Sequence, residues 1–245
     1  MNAQANKMPP FAGDQTRVNE FGQPIGAALD TWTPPPFPPH TALVGRYCQL
    51  EPIDSTRHAP DLWEALAEDT TDARYTYMNF GPFANQAEFE AWVANSVVPR
   101  LYAIVVGGRA VGMISNNRID PENGSLEVGS VFYTARLVQT SAATEAQYLL
   151  AKNAFELGYR RYEWKCDSCN LPSRAAATRL GFTLEGIFRQ AVVYKGRNHD
   201  TVWLSITDGD WNAGLKDAFV KWLDPSNFDD SGKQKLKLSD LTAPF

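Results

Sequence analysis

The sequence predicts an α+β fold: a mixed, mainly antiparallel sheet with helices on both faces and one parallel strand pair at its centre. Three observations carry this. Residues 125–182 alternate as strand, helix, strand, helix, which demands a parallel step and a right-handed crossover. Glycine-bearing turns, Gly107-Gly108-Arg109 and Asn123-Gly124, mark hairpins before that unit. A further pair of apolar runs, 188–194 and 201–207, is joined through Lys195-Gly196-Arg197-Asn198 after it.

Residues 1–40 are rich in turns and proline, and Pro34-Pro35-Pro36-Phe37-Pro38-Pro39 excludes helix and central strand. Phe21, Ile25, Leu29, Trp32 and Phe37 make the stretch more apolar than a solvated linker, so it is expected to lie on the domain as an arm; the alternative is a free tail. The domain proper is expected over 41–207, with a C-terminal helix and polar tail over 208–245. Residues 43–53 read as the first strand. Residues 61–67 begin a helix with Leu62, Trp63 and Leu66 on one face. Residues 73–81 are aromatic and irregular. Asn85 caps a helix with Glu88 three residues on, and that helix ends near Pro99. Strands follow at 101–106, 110–116 and 125–133. The central helix, 141–157, repeats Ala146, Leu149, Leu150, Ala154 and Leu157 at helical spacing and stops at Gly158. A strand at 161–167 and a helix at 172–180 complete the central unit. A last helix starts at Asp208 and ends before Pro225, and 229–237 reads as a frayed polar end.

Composition narrows the function. The 245 residues carry a net charge of −5, with 44% hydrophobic and 21% charged residues, as in a soluble globular chain. The acidic balance advertises no nucleic-acid face, and no apolar run approaches the ~20 residues of a membrane helix. Residues 1–10 lack the apolar core of a secretory signal, so the cytoplasm is the expected compartment. Three cysteines, Cys48, Cys166 and Cys169, do not make a disulfide scaffold. Cys166-x-x-Cys169 stands at a strand end before a helix. It reads either as a thiol redox motif or as two small packing residues. No metal site is expected, because no second ligand pair accompanies it.

The strand-to-helix turn before residue 141 is a natural anion site, where free N–H groups and the helix dipole converge. Glu127-Val128-Gly129, Ala143-Thr144-Glu145-Ala146, Asn170-x-x-Ser173 and Leu180-Gly181-Phe182, in that order and spacing, resemble the GNAT superfamily of acetyl-CoA-dependent N-acetyltransferases, closest to its RimJ/RimL-type (ribosomal-protein acetyltransferase-like) branch. The resemblance covers about 43–207. It implies that the parallel pair splays and that acetyl-CoA, as co-substrate, enters the gap. It implies Glu127 as general base, Ser173 as proton donor to the leaving thiolate, and Asn170 and the backbone of Val131 and Phe132 as partners of the pantetheine. The pyrophosphate loop would be Gln139, Thr140, Ser141, Ala142, Ala143 and Thr144. Here the chain departs from the family pattern: at the marked positions it offers Val138, Ser141 and Ala143 or, one residue on, Gln139, Ala142 and Thr144, so neither register supplies the expected glycine, and Ser or Ala tolerates positive φ poorly.

In the strand 125–133, Glu127 and Gly129 share a face, and a carboxylate facing a half-buried cleft has a raised pKa. Gly129 is expected to leave room for the amine. Asn170 and Ser173 also read as a helix cap. Candidates for contacting the acceptor are Tyr75, Met78, Phe80, Arg118, Lys165, Tyr194 and Arg197. The expected reaction is acetyl transfer from acetyl-CoA to a primary amine of a small molecule. The alternatives are a protein N-terminus as acceptor or a non-catalytic acyl-CoA-binding module. The chain is expected as a monomer or homodimer with no nucleic-acid or membrane partner.

Overall fold

The computed structural model describes residues 17–69, 71–98 and 100–245; the first sixteen residues of the expected arm lie outside them. The chain divides into two units, residues 1–33 and 34–245. In the first, β1 (Arg17–Val18) pairs antiparallel with β2 (Pro24–Ile25). The turn between them is organised by Asn19 Oδ1, which accepts from the Phe21 and Gln23 amides.

The second unit holds one eight-stranded sheet. In chain order its strands are β3 (Leu43–Val44), β4 (Gln49–Pro52), β5 (Arg100–Val106), β6 (Arg109–Asp120), β7 (Ser125–Tyr133), β8 (Arg161–Asp167), β9 (Thr183–Tyr194) and β10 (Arg197–Thr207). Across the sheet the order is β3-β4-β5-β6-β7-β8-β10-β9. Every pairing is antiparallel except β7 with β8.

Alternation along the strands feeds two cores. Tyr102, Ile104, Leu126, Val128 and Tyr162 pack beneath α3 (Ser141–Glu156) and α4 (Leu171–Arg179). On the other face Leu101, Ala103, Met113 and Phe132 pack against α1 (Ser55–Ala67) and α2 (Gln86–Ala94). The start of α1 corrects the sequence reading. Asp54 accepts from the Arg57 amide, so the helix begins at Ser55 and runs through Pro60, where a proline ordinarily signals a boundary. The box at α2 forms as expected on one side, Glu88 N–H to Asn85. The Glu88 carboxylate, however, accepts from Ala84 N–H rather than from Asn85.

The helix expected as continuous after Asp208 is broken. It consists of α5 (Asp208–Asp210), a π-turn over Trp211–Leu215 and α6 (Lys216–Leu223). Gly214 sits at φ 135°, against the Phe245 ring. Residues 229–237 are not frayed. Phe228 bridges Gln234, whose side chain accepts from Trp222 Nε1. The chain then enters α7 (Leu238–Thr242), anchored by the fully buried Leu238.

One long-range contact fixes the start of the sheet. Glu145, on α3 and buried, accepts three backbone N–H groups of the β3–β4 turn: Arg46 at 2.8 Å, Tyr47 at 2.6 Å and Cys48 at 2.9 Å. A Cβ at Gly45 would overlap that carboxylate, so only glycine lets the turn close over it.

Candidate active site

The parallel pairing of β7 with β8 runs from Ser125↔Arg161 to Val128↔Trp164 and stops there. The cause is a bulge. Register passes from Met113↔Phe132 to Ser115↔Gly129, so Ser130 and Val131 together oppose Ile114, and Ser130 takes φ 49°. A bulge of this kind bends its strand. β7 stays with β6 while β8 continues along β10 to Asp167, and the two part.

A cleft of about 640 Å³ opens where they separate. It brings together the expected Glu127, Val131, Asn170, Ser173, Phe80, Lys165 and Tyr194, along with Met78. The tip of the β9–β10 hairpin is tied to residues 75–81 beside it. Lys195 Nζ donates to the carbonyls of Tyr75 at 2.8 Å and Gly81 at 3.2 Å, and Arg197 Nη2 donates to that of Thr76 at 2.7 Å.

Glu127 is 8% exposed. Its Oε2 lies 2.6 Å from Lys165 Nζ and 3.6 Å from Arg118 Nε. Burial pushes its carboxyl above the usual range, outweighing the lowering by Lys165 and Arg118. Burial thus makes this carboxylate a better proton acceptor than an exposed one. Lys165 and Arg118 both lie over the Trp203 ring, at 4.7 and 5.3 Å. Arg118 therefore flanks Glu127 and lies outside the cleft lining. Ser173 Oγ accepts from Trp164 Nε1 at 3.0 Å and lies in hydrogen-bond reach of the Cys166 thiol. Asn170 is the N-cap of α4, its Oδ1 accepting from Ser173 N–H. Cap and cleft positions coincide in one residue.

Two expectations are corrected. Tyr75 is 6% exposed and belongs to the core, packed on Phe132 at 5.4 Å; it does not line the cleft. The Phe132 side chain is buried with it, which is compatible with the backbone role expected of Phe132. The space beside Gly129 is filled by Asn117, whose Nδ2 a Cβ would overlap. Asn117 is held in turn by Ser115 Oγ at 3.0 Å. The glycine thus admits Asn117 to the cleft wall rather than an amine.

In the turn before α3 the left-handed residue is Gln139, at φ 64°, and neither a serine nor an alanine. Thr140 Oγ1 caps the helix, accepting from Ala143 N–H at 3.1 Å and donating to Leu137 O at 2.7 Å. Ala142, Ala143 and Thr144 are buried, and Thr144 Oγ1 accepts from Arg179. Gln139, Thr140 and Ser141 are the members of that stretch that reach the surface. The unpaired end of β7 and the cleft fit a pantetheine arm. Of the expected pyrophosphate loop, Gln139–Ser141 are the residues open to a ligand, and none is a glycine.

Cys166 and Cys169 are free thiols, the first buried and the second exposed. Burial pushes the Cys166 thiol up, opposite to the shift a redox thiolate needs. Among the described residues no group of three or more His, Cys, Asp or Glu side chains is placed to hold a metal, and no helix is long and apolar enough to cross a membrane. Sequence reasoning missed Asn117, Asp167 and His199, all on the cleft wall. Asp167, 7% exposed, accepts from Cys169 N–H at 2.8 Å and Tyr194 OH at 2.9 Å. Their shared strand face with Glu127 was the available signal.

A family model described as an acetyltransferase (GNAT) domain matches residues 49–183. The ribosomal-protein-serine acetyltransferase of Escherichia coli (strain K12) is 33% identical over 92 residues, 38% of this chain and 51% of that protein. The chain thus spans about half the length of the curated relative it matches. Among solved structures, a GCN5-related N-acetyltransferase from Brucella melitensis is 43% identical with a TM-score of 0.84, covering 88% of this chain and 100% of the other. A probable GNAT-family acetyltransferase from Chromobacterium violaceum ATCC 12472 is 38% identical with a TM-score of 0.72, covering 78% and 98%.

Proposed function

The chain belongs to the GNAT acetyltransferase family, and from that premise we propose that it moves an acetyl group from acetyl-CoA to a primary amine of a small molecule. The observation that carries this reading is the cleft at the end of the β7–β8 pairing, which Glu127, Asn170 and Ser173 all line. Acetyl-CoA supplies the activated thioester. Glu127 takes a proton from the acceptor ammonium, which frees the lone pair that attacks the carbonyl carbon. Ser173 turns its hydroxyl proton toward the departing sulfur. Asn170 and the backbone of Val131 hold the pantetheine, and Gln139, Thr140 and Ser141 meet the phosphates at the start of α3. The apolar wall of Met78, Phe80 and Trp92 suits an acceptor whose amine rides on an apolar body.

A second reading, a protein N-terminus as acceptor, is favoured by the likeness to a ribosomal-protein-serine acetyltransferase. One experiment separates the two: CoA release measured across a panel of small amines and of short peptides with free N-termini. Saturable turnover with small amines supports the first reading, and turnover confined to peptides selects the second. No CoA release above the hydrolytic background with any acceptor rejects the proposal.

A further inference from the structure

We propose that Lys165 is the positioning residue of the proton acceptor: its ammonium holds the Glu127 carboxylate charged and fixed at the cleft wall. The inference rests on the base role given to Glu127 above. Glu127 of β7 is level with Glu163 of the parallel β8. Lys165 therefore stands two residues further along β8, on the same face as Glu163 and toward the end of the pairing. From there its Nζ reaches Glu127 Oε2 at 2.6 Å. Both residues line the cleft.

The ammonium is itself held in place. Trp203 of β10 lies opposite Lys165, and Nζ sits over its ring at 4.7 Å, within the range of a cation–π contact. Phe188 packs on Trp203 in turn, at 5.2 Å. The Lys165 side chain is 18% exposed, so little water screens the pair. The other groups around Glu127 are placed less well to do this work. Arg118, on β6, is 3.6 Å away and 59% exposed. Glu163 repels the carboxylate and is paired with Arg161 at 2.7 Å. Asn117, level with Glu127 on β6, carries no charge. Burial makes Glu127 a stronger proton acceptor, but unopposed it would leave the group already protonated. Lys165 is the nearest group that opposes it. Both cations approach Oε2, which leaves Oε1 to receive the proton of the acceptor ammonium.

The test is kcat/KM against pH for wild type, Lys165→Met, Lys165→Arg and Arg118→Met, with the best small amine or peptide from the panel. One acceptor serves throughout, so its own titration is common to every profile. Methionine keeps an apolar stem over Trp203 and removes the charge. Because a neighbour that lowers the Glu127 pKa is lost, the acidic limb should move up by about one pH unit or more. Arginine keeps the charge and should reverse most of that movement, and Arg118→Met should move the limb clearly less than Lys165→Met. The Michaelis constant for acetyl-CoA and the melting temperature should stay close to wild type. A limb that stays in place in Lys165→Met overturns the inference and leaves the transferase reading standing, and a rise in the amine constant alone would make Lys165 an acceptor contact. A limb displaced as far by Lys165→Arg or by Arg118→Met overturns it too. A limb that survives Glu127→Gln overturns the base role and the inference with it, and a wild-type protein that acetylates no acceptor overturns the transferase reading itself. Should the methionine variant fail to fold, Lys165→Gln carries the same test with the same deciding outcomes.

Discussion

Two buried carboxylates on adjoining elements are held in opposite ways. Glu145, near the start of α3, is 5% exposed and has both oxygens engaged by three backbone amides. Glu127, on β7, is 8% exposed, faces a cleft and, among the described residues, is met by the side chains of Lys165 and Arg118. Burial is the same to within a few per cent, so burial does not distinguish structure from chemistry. The distinction lies in what the oxygens face. Backbone amides on a closed turn fix a carboxylate as a structural pin. A cationic side chain at a cavity wall leaves it a route to an incoming proton.

The largest expected effect breaks the comparison on the chemical side. Glu127→Gln keeps the shape and removes the proton acceptor, so turnover should fall by ~10²–10⁴, with a melting temperature close to wild type. The pH profile gives the sign. Because the Glu127 pKa is raised by burial, wild-type activity should fall as pH drops through a value above the ordinary carboxylate range. The variant should lose that limb. A profile that stays the same in both proteins removes Glu127 from the proton path.

On the structural side, Glu145→Ala leaves three turn amides unpaired. Charge-assisted bonds of this kind contribute about 1.5–3 kcal/mol each and do not add fully. A loss of about 3 kcal/mol is expected, or roughly 6–12 °C in melting temperature for a chain of this size. Turnover per folded molecule, measured well below the transition, should stay within a few-fold. A variant as stable as wild type but inactive would reverse the two roles.

Ser173→Ala sharpens the chemical half. The slowing should stay near or below ~10², because a water can take the place of the hydroxyl under Trp164 Nε1. A loss as large as that of Glu127→Gln would make Ser173 more than a donor to the leaving sulfur. The smallest effect is expected at the turn leading into α3. Gln139 holds a left-handed conformation that costs a non-glycine residue on the order of 1 kcal/mol. Gln139→Gly should be neutral or stabilise by up to about that amount, without weakening acetyl-CoA binding. A weaker cofactor affinity in that variant would show that the glutamine side chain itself contacts the ligand.

The order of strands and helices was legible because periodicity and glycine turns are local signals. So was the gathering of Glu127, Asn170 and Ser173, through a resemblance that spans distant motifs. The gap itself was legible only by resemblance. It is made by a bulge at Ser130, a residue type that gives no sign of left-handed backbone. Tyr75 was misjudged because an aromatic ring reads alike in a core and on a cleft wall. Gly129 was read for the space it frees, whereas its use depends on Asn117 across the ladder. The amide partners of Glu145 lie nearly a hundred positions away, beyond the reach of any local pattern.

That separation has a consequence for how the chain is made. The β3–β4 turn is synthesised 98 residues before the side chain that completes the Tyr47 bond. At a ribosomal pace of ~5–20 residues per second this is a delay of roughly 5–20 s. Throughout it the amides of Arg46, Tyr47 and Cys48 have water as their only partner on the Glu145 side, and the first edge of the sheet is open to other strands. Synthesis of α3 ends that interval.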